Sequence, residues 1–441
     1  MLKILTLIIS YLLYTNIAIA DNHSVALADP AEINFVFNTL LFLIGGFLVM
    51  WMAAGFTMLE AGLVRSKNTV VICIKNVGLF SIAGFAYYLI GYNLMYGVEE
   101  GGYIGKLAIW TSGDTSVDAL AKLDEVTNYS PASDWFFQMV FVATTASIVS
   151  GALAERILIW PFFAFILVLT AILYPISGSW LWGGGWLKTM GFNDFAGSTI
   201  VHSVGGWAAL TGALILGSRK GKYNKDGTAN IMPGQSIPMA TLGVWILWLG
   251  WFGFNGASQL ALGSYTDANA VATIFANTSM AAAGGVLGPM ILSRVIYRKT
   301  DISATLNGAI AGLVSITAEP LTPVIGEAII IGAIGGILCM FSMKFLDKLK
   351  IDDVVGAIPA HLTAGIWGTL IVPFTNTGAS YGVQIIGVLA FGIFTVIGSS
   401  IMWIILKSTV GIRASEDDEV YGLDLTETGS EGYPEYISNN K

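Results

Sequence analysis

Two histidines inside apolar segments, His202 and His361, are the residues whose type and spacing most suggest chemistry. Each follows an aspartate, Asp194 or Asp353, by eight residues, and each precedes a glycine by four. Imidazole titrates near neutral pH, and two rings that meet could share a hydrogen bond that fixes both tautomers and leaves polar edges facing a lumen. A pair of structural histidines is the alternative. Haem or metal ligation is disfavoured, because no further His, Cys or carboxylate clusters beside them.

The elements that position these rings are predicted to be transmembrane helices. Apolar residues make up 55% of the chain and charged residues 11%, whereas soluble proteins have about a quarter charged residues. Backbone groups in hydrocarbon must pair internally, and the strict alternation of a β-barrel is absent. We therefore predict an all-α integral membrane protein with eleven spans of roughly 20 residues. They cover about residues 34–62, 70–96, 134–153, 157–177, 197–217, 238–257, 268–293, 302–317, 323–345, 355–373 and 383–407.

The matched spacing around the two histidines predicts an internal repeat. The histidines lie in the fifth and tenth predicted spans, which run in opposite directions through the membrane. An inverted five-plus-five repeat with one final helix would produce this arrangement. Eight helical residues rise about 12 Å, so both rings are expected near the bilayer midplane.

The N-terminal segment and the distribution of basic residues predict the topology. Lys3, the apolar run Ile4–Leu13 and the small residues Ala18 and Ala20 are typical of a signal peptide over residues 1–20, with an uncleaved helix as the alternative. The membrane domain then covers 21–408 and a tail covers 409–441. Most basic residues fall in the loops predicted inside, which places the mature N-terminus outside and the C-terminus in the cytoplasm. A bacterial inner (cytoplasmic) membrane is expected.

Other polar features predict less. No basic patch of the nucleic-acid-binding kind is present, and no nucleophile–base pair that would indicate an enzyme. Glu60 is expected to be structural, and Lys75 is expected to extend its amino group to the membrane surface. The end of the tail, Gly429–Lys441, is predicted to be disordered.

Several segments resemble the ammonium transporter family. They are residues 60–68 (EAGLVRSKN), 151–156 (GALAER), 182–185 (WGGG), 194–202 (DFAGSTIVH), 250–255 (GWFGFN) and 422–425 (GLDL). The resemblance extends from about residue 34 to about 428. It implies an eleven-helix fold and a homotrimer with one pore per subunit. No cofactor or metal is expected.

The resemblance also implies roles for individual residues. Trp182, Ser258 and Phe141, with Phe137 close by, correspond to an external site that recruits ammonium. Phe141 and Phe254 correspond to stacked rings that gate the pore, and His202 and His361 to the twin histidines of a proton relay. Asp194 corresponds to an acid that supports recruitment without touching the substrate.

The function implied by this resemblance is ammonium transport into the cytoplasm, as ammonia with a separately relayed proton. An ammonium sensor with little flux is the alternative. The tail resembles the family segment that couples subunits and helps bind a PII-type signalling protein, so such a partner is expected. Pro359 departs from the family pattern. Because proline has no backbone N–H, it could kink the helix that carries His361.

Overall fold

The computed structural model describes residues 30–123 and 128–434. The predicted signal peptide lies outside these ranges. Within them the regular structure is helical, apart from two isolated β-bridges. The long helices are α1 (Pro30–Leu63), α2 (Ser66–Tyr96), α3 (Pro131–Ala152), α4 (Ile159–Ser179), α5 (Ser198–Leu216), α6 (Ile237–Gln259), α7 (Tyr265–Tyr297), α8 (Ile302–Ile316), α9 (Ile325–Lys348), α10 (Ile358–Thr363 continuing as Ala364–Leu370) and α11 (Tyr381–Thr409). Short helix α12 (Glu416–Tyr421) lies in the tail.

The helices begin where the sequence supplies caps for free backbone N–H groups. The side chains of Ser236, Ser264 and Asp301 accept hydrogen bonds from the first turns of α6, α7 and α8. Pro131 opens α3, where its missing N–H has no intrahelical partner to lose. Local sequence therefore determines several of the boundaries.

The chain is an all-helical membrane protein, as predicted. Within the described residues, nine helices are long and apolar enough to cross a membrane. The other two predicted spans coincide with α8 and α10, which are shorter. Helix α8 has 15 residues, and α10 begins only after an irregular segment. The count of eleven spans stays a prediction.

Small residues allow the helices to approach closely. A methyl group at Gly332 of α9 would lie 1.9 Å from the carbonyl oxygen of Ala281 in α7, and one at Gly243 of α6 would lie 2.4 Å from the backbone nitrogen of Leu59 in α1. Apolar side chains gain nothing by leaving lipid for another helix, so close packing of this kind contributes much of the association. The frequent glycines therefore hold the bundle together.

Two polar predictions are wrong. Lys75 does not reach the surface: its side chain is fully buried, and its ammonium group donates to the carbonyl oxygen of Ser150 at 2.8 Å. Part of the segment predicted to be disordered, 429–434, packs on the bundle, where the Tyr433 hydroxyl accepts a hydrogen bond from the Gln235 side chain at 2.8 Å. The rest of that segment, 435–441, lies outside the described residues.

The tail folds back onto the helices at one end of the bundle, which we call the tail face. Asp424 accepts hydrogen bonds from the backbone nitrogens of Val70 and Val71, both at 2.9 Å, in the first turns of α2. The Glu427 carboxylate accepts from the first residue of α4, Ile159. The tail therefore caps two membrane helices of its own chain.

Candidate functional site

A cavity of about 480 Å³ opens at the opposite end of the bundle, near the loop that follows α2. We call it the vestibule. It brings together five residues expected to act there, which come from α3, α6 and the segment between α4 and α5: Phe137, Phe141, Trp182, Asp194 and Ser258. The vestibule is thus built from distant parts of the chain.

Aromatic rings form the floor of the vestibule. The rings of Phe141 and Trp182 meet edge to face at 5.7 Å, and those of Phe137 and Phe141 do so at 4.8 Å. Phe141 and Phe254 lie 4.3 Å apart with their planes tilted by 44°, so they are in contact but are not stacked in parallel. Both rings are buried and separate the vestibule from the histidines.

Two polar groups orient this aromatic floor. The indole N–H of Trp182 donates to the carbonyl oxygen of Asp194 at 3.1 Å. The Ser258 hydroxyl donates to the carbonyl oxygen of Phe254 at 2.8 Å. Because its proton is engaged, the Ser258 oxygen offers lone pairs, which suits a cation with N–H donors.

Asp194 is buried and fully engaged in capping α5. Its carboxylate accepts hydrogen bonds from the backbone nitrogens of four successive residues, 197–200, at 2.7 to 3.2 Å. The capping role suggested by sequence is therefore present. The same bonds fix the first turn of the helix that carries His202.

The two histidines meet inside the bundle. Their Nδ1 atoms lie 3.1 Å apart, and the planes of the two buried rings differ by 22°. One Nδ1 must donate while the other accepts, so the neutral rings hold opposite tautomers. His202 stacks on Trp251 and Phe254, at 4.9 and 5.1 Å between ring centroids. Its Nε2 has no hydrogen-bond partner among the described residues.

Each histidine lies in a π-helical turn at the start of its helix. The turns are Ser198–Ser203 in α5 and Ile358–Thr363 in α10. Asp353 caps its turn as Asp194 does, accepting from Gly356 and Ile358. Pro359 lies in the first turn, where the absent N–H costs no internal bond, and the ring of His361 still meets that of His202.

A buried charge network joins the loops at the tail face. Arg219 donates to both oxygens of Asp352, at 2.8 and 2.9 Å, and one of its nitrogens lies 3.4 Å from Glu155. Glu155 also pairs with Arg65. Burial would raise the pKa of Asp352, but the hydrogen bonds from Arg219 and the charge of Arg156 outweigh it and lower that pKa to about 2.

Sequence reasoning missed Asp134, a carboxylate of α3 that lines the vestibule. It accepts a hydrogen bond from the hydroxyl of Tyr92, and the Gln138 amide lies 3.5 Å from its other oxygen. Its position in the first turn of α3 suggests a helix cap, and sequence does not show toward which neighbour that turn faces. The sequence did show that Asp134 is the one acidic residue of this predicted span, which could have marked it as a candidate.

The fold and this site define a multi-pass helical membrane protein with a vestibule above a buried histidine pair. The family model of the Ammonium Transporter Family matches residues 40–433. Ammonium transporter Amt2 of Archaeoglobus fulgidus is 38% identical over 430 residues, covering 90% of this chain and 88% of that protein. The chain belongs to the ammonium transporter family.

Solved structures show the same fold. A chain described as "Sensor Amt Protein" has a TM-score of 0.83 and 35% identity, and the match covers 90% of this chain and 99% of that one. Candida albicans Mep2 has a TM-score of 0.77 and 25% identity, with 93% of each chain covered. Both solved chains therefore share the architecture described above.

Proposed function

We propose that this protein takes up ammonium through the vestibule and passes ammonia, with a separately relayed proton, along the histidine pair into the cytoplasm. The observation that carries the proposal is the 3.1 Å contact between the two buried imidazoles directly beneath an aromatic cup. A cation entering this apolar interior would lose its hydration, which is costly. Removing its proton avoids that cost.

The vestibule supplies groups suited to recruit the cation. An aromatic face such as that of Trp182 attracts a cation by about 0.5–2 kcal/mol, and Ser258 offers an acceptor for an N–H bond. Potassium has no N–H to donate, so Ser258 favours ammonium over potassium. Phe141 and Phe254 then close the route until the rings move.

The histidine pair is proposed to carry the proton. His202 and His361 share one hydrogen bond, so a proton accepted by one ring can leave from the other after the tautomers exchange. Ammonia crosses as a neutral molecule while the proton follows the rings. The net result is the inward movement of one positive charge.

The test is current measurement on proteoliposomes given ammonium, methylammonium or potassium. The wild type should give current with the first two ions and none with potassium. Replacing both rings, His202→Leu with His361→Leu, should abolish the ammonium current. Selective current that persists in this double variant would contradict the relay.

A sensor with little flux is the second candidate, because the match to the sensor Amt structure covers 99% of that chain. Flux separates the two candidates: a sensor should bind ammonium in the vestibule without current or labelled methylammonium uptake. We also propose a homotrimer in an inner membrane, with the vestibule outside. A PII-type protein at the tail face is the proposed signalling partner.

A further inference from the structure

A second, very small cavity lies on the tail-face side of the histidine pair. Its volume of about 10 Å³ is close to the space that one water molecule needs. His361 lines it, and so does Glu60 of α1. An ionisable group this deep in a membrane protein is costly, and usually lines a pathway.

Glu60 is buried but incompletely satisfied. One carboxylate oxygen accepts a hydrogen bond from the Ser150 hydroxyl at 2.7 Å. The other, Oε1, has no donor in hydrogen-bonding geometry among the described residues, although the Asn76 side chain lies beside the carboxylate. A buried carboxylate oxygen without a partner is costly, so the cavity shared with His361 is where Oε1 can gain one.

Lys75 balances the charge of Glu60 through the same serine. Its ammonium group donates to the backbone carbonyl of Ser150, while the Ser150 hydroxyl donates to Glu60. The ammonium group also lies 4.9 Å from the centre of the Phe162 ring. Burying the two charges together makes an ionised Glu60 tolerable at this depth.

We infer that Glu60 accepts the proton that leaves His361 and passes it on toward the tail face. The inference rests on the proposed function. An N–H bond of the protonated His361 breaks, one water in the small cavity carries the proton across unchanged, and an O–H bond forms at Oε1. The imidazole becomes neutral, and Glu60 becomes a carboxylic acid. Losing that proton toward the tail face restores the carboxylate.

The small cavity shares part of its lining with a second cavity at the tail face. Asn307 and Val355 line the small cavity and also a polar cavity of about 150 Å³ at the tail face. Charged residues of the second cavity include Arg219, Lys222 and Asp347. We infer that the proton leaves Glu60 past Asn307 and Val355 toward this polar cavity.

The test compares Glu60→Gln with wild type in proteoliposomes by two measurements. The ammonium-driven current should fall at least ten-fold, while ammonia permeation, followed as internal alkalinisation, should stay within two-fold. Glu60→Asp should restore part of the current, because it returns the proton acceptor. The control is Glu32→Gln, at the exposed start of α1, which should keep both.

Because Glu60→Gln leaves Lys75 without its counter-charge, Glu60→Gln with Lys75→Met provides a charge-balanced variant. It should fold and should also lack the current. Full current in either variant would overturn the role of Glu60, and so would equal loss of current and ammonia permeation. If the twin-histidine variant loses the current but Glu60→Gln keeps it, only this inference fails. A wild type with neither current nor flux would overturn the proposed function as well.

Discussion

At the scale of single residues, two acids among the described residues line the vestibule, and one of them has acceptor capacity that the backbone does not fill. The Asp194 carboxylate accepts its hydrogen bonds from the start of α5. The Asp134 carboxylate accepts one from a hydroxyl and has one long contact to Gln138. Both acids line the same cavity. Asp134 is therefore the better placed of the two to attract a cation directly.

Replacing Asp134 with asparagine should weaken the apparent affinity for ammonium. Asparagine keeps the shape but removes a negative charge. For a cation about 8 Å from the carboxylate and an effective dielectric constant of about 20, the attraction is up to about 2 kcal/mol, which corresponds to a roughly 30-fold change in affinity. Saturation of the current with ammonium measures the effect. Asp118→Asn, in the exposed loop after α2, is the control, and equal affinity in both variants would contradict the assignment.

Sequence predicted the pairing of His202 and His361, because equal spacing from an acid placed both rings at one depth. It did not predict that Glu60 and Lys75 would be joined through Ser150. Their contact depends on the rotation of α1 and α2 about their own axes. Apolar residues surround these helices on several sides, so the sequence pattern leaves that rotation open.

At the scale of elements, the helices followed from composition, but the π-helical turns did not. A π-helical turn differs from an α-helical one by a single shifted bond, and no residue type specifies it. In α5 and α10 the capping acids Asp194 and Asp353 fix the first backbone N–H groups. Their spacing from the histidines was visible in sequence, but the geometry it produces was not.

The loop before α10 is held by Asp352, so Asp352→Asn should destabilise the tail-face end of the bundle. Removing one partner of a buried ion pair costs about 3–5 kcal/mol. Among the described residues, Arg219 would then have Glu155 as its one remaining acidic partner. Thermal unfolding in detergent should show a lower midpoint, whereas Asp226→Asn, in the exposed α5–α6 loop, should not change it.

The same pair predicts a pH dependence. The pKa of Asp352 is lowered from 3.8 to about 2, so its contribution is complete above about pH 4 and is lost as pH falls through 2. The thermal unfolding midpoint of the wild type should fall between pH 4 and pH 2 more steeply than that of Asp352→Asn. Parallel curves for the two proteins would show that Asp352 is not responsible.

At the scale of the whole molecule, large apolar side chains cover the outside of the bundle. Phe47, Val77 and Ile393, from three different helices, are each more than half exposed. Such a surface can contact lipid or further copies of the chain. The sequence does not show which part contacts which. The homotrimer therefore stays a prediction that mass measurement in detergent can check.

The tail links the ends of two membrane helices, so its contacts should control access to the tail face. Asp424→Ala removes two hydrogen bonds to the start of α2, and losing a helix-capping side chain costs about 1 kcal/mol. That cost corresponds to roughly five-fold greater release of the tail. Limited proteolysis should cleave the tail of Asp424→Ala about five times faster than that of wild type.

The matched control is Asp417→Ala, since Asp417 is an exposed acid of α12 in the same tail. It should be cleaved at the wild-type rate. Burial raises the pKa of Asp424 despite its backbone hydrogen bonds. Docking therefore favours the protonated carboxyl, and the contribution of Asp424 to docking should weaken as pH rises through that raised pKa. Equal cleavage of both variants would show that Asp424 does not control the tail. The next group to test would then be Lys67, whose ammonium group donates to the carbonyl of Glu419 at 2.7 Å.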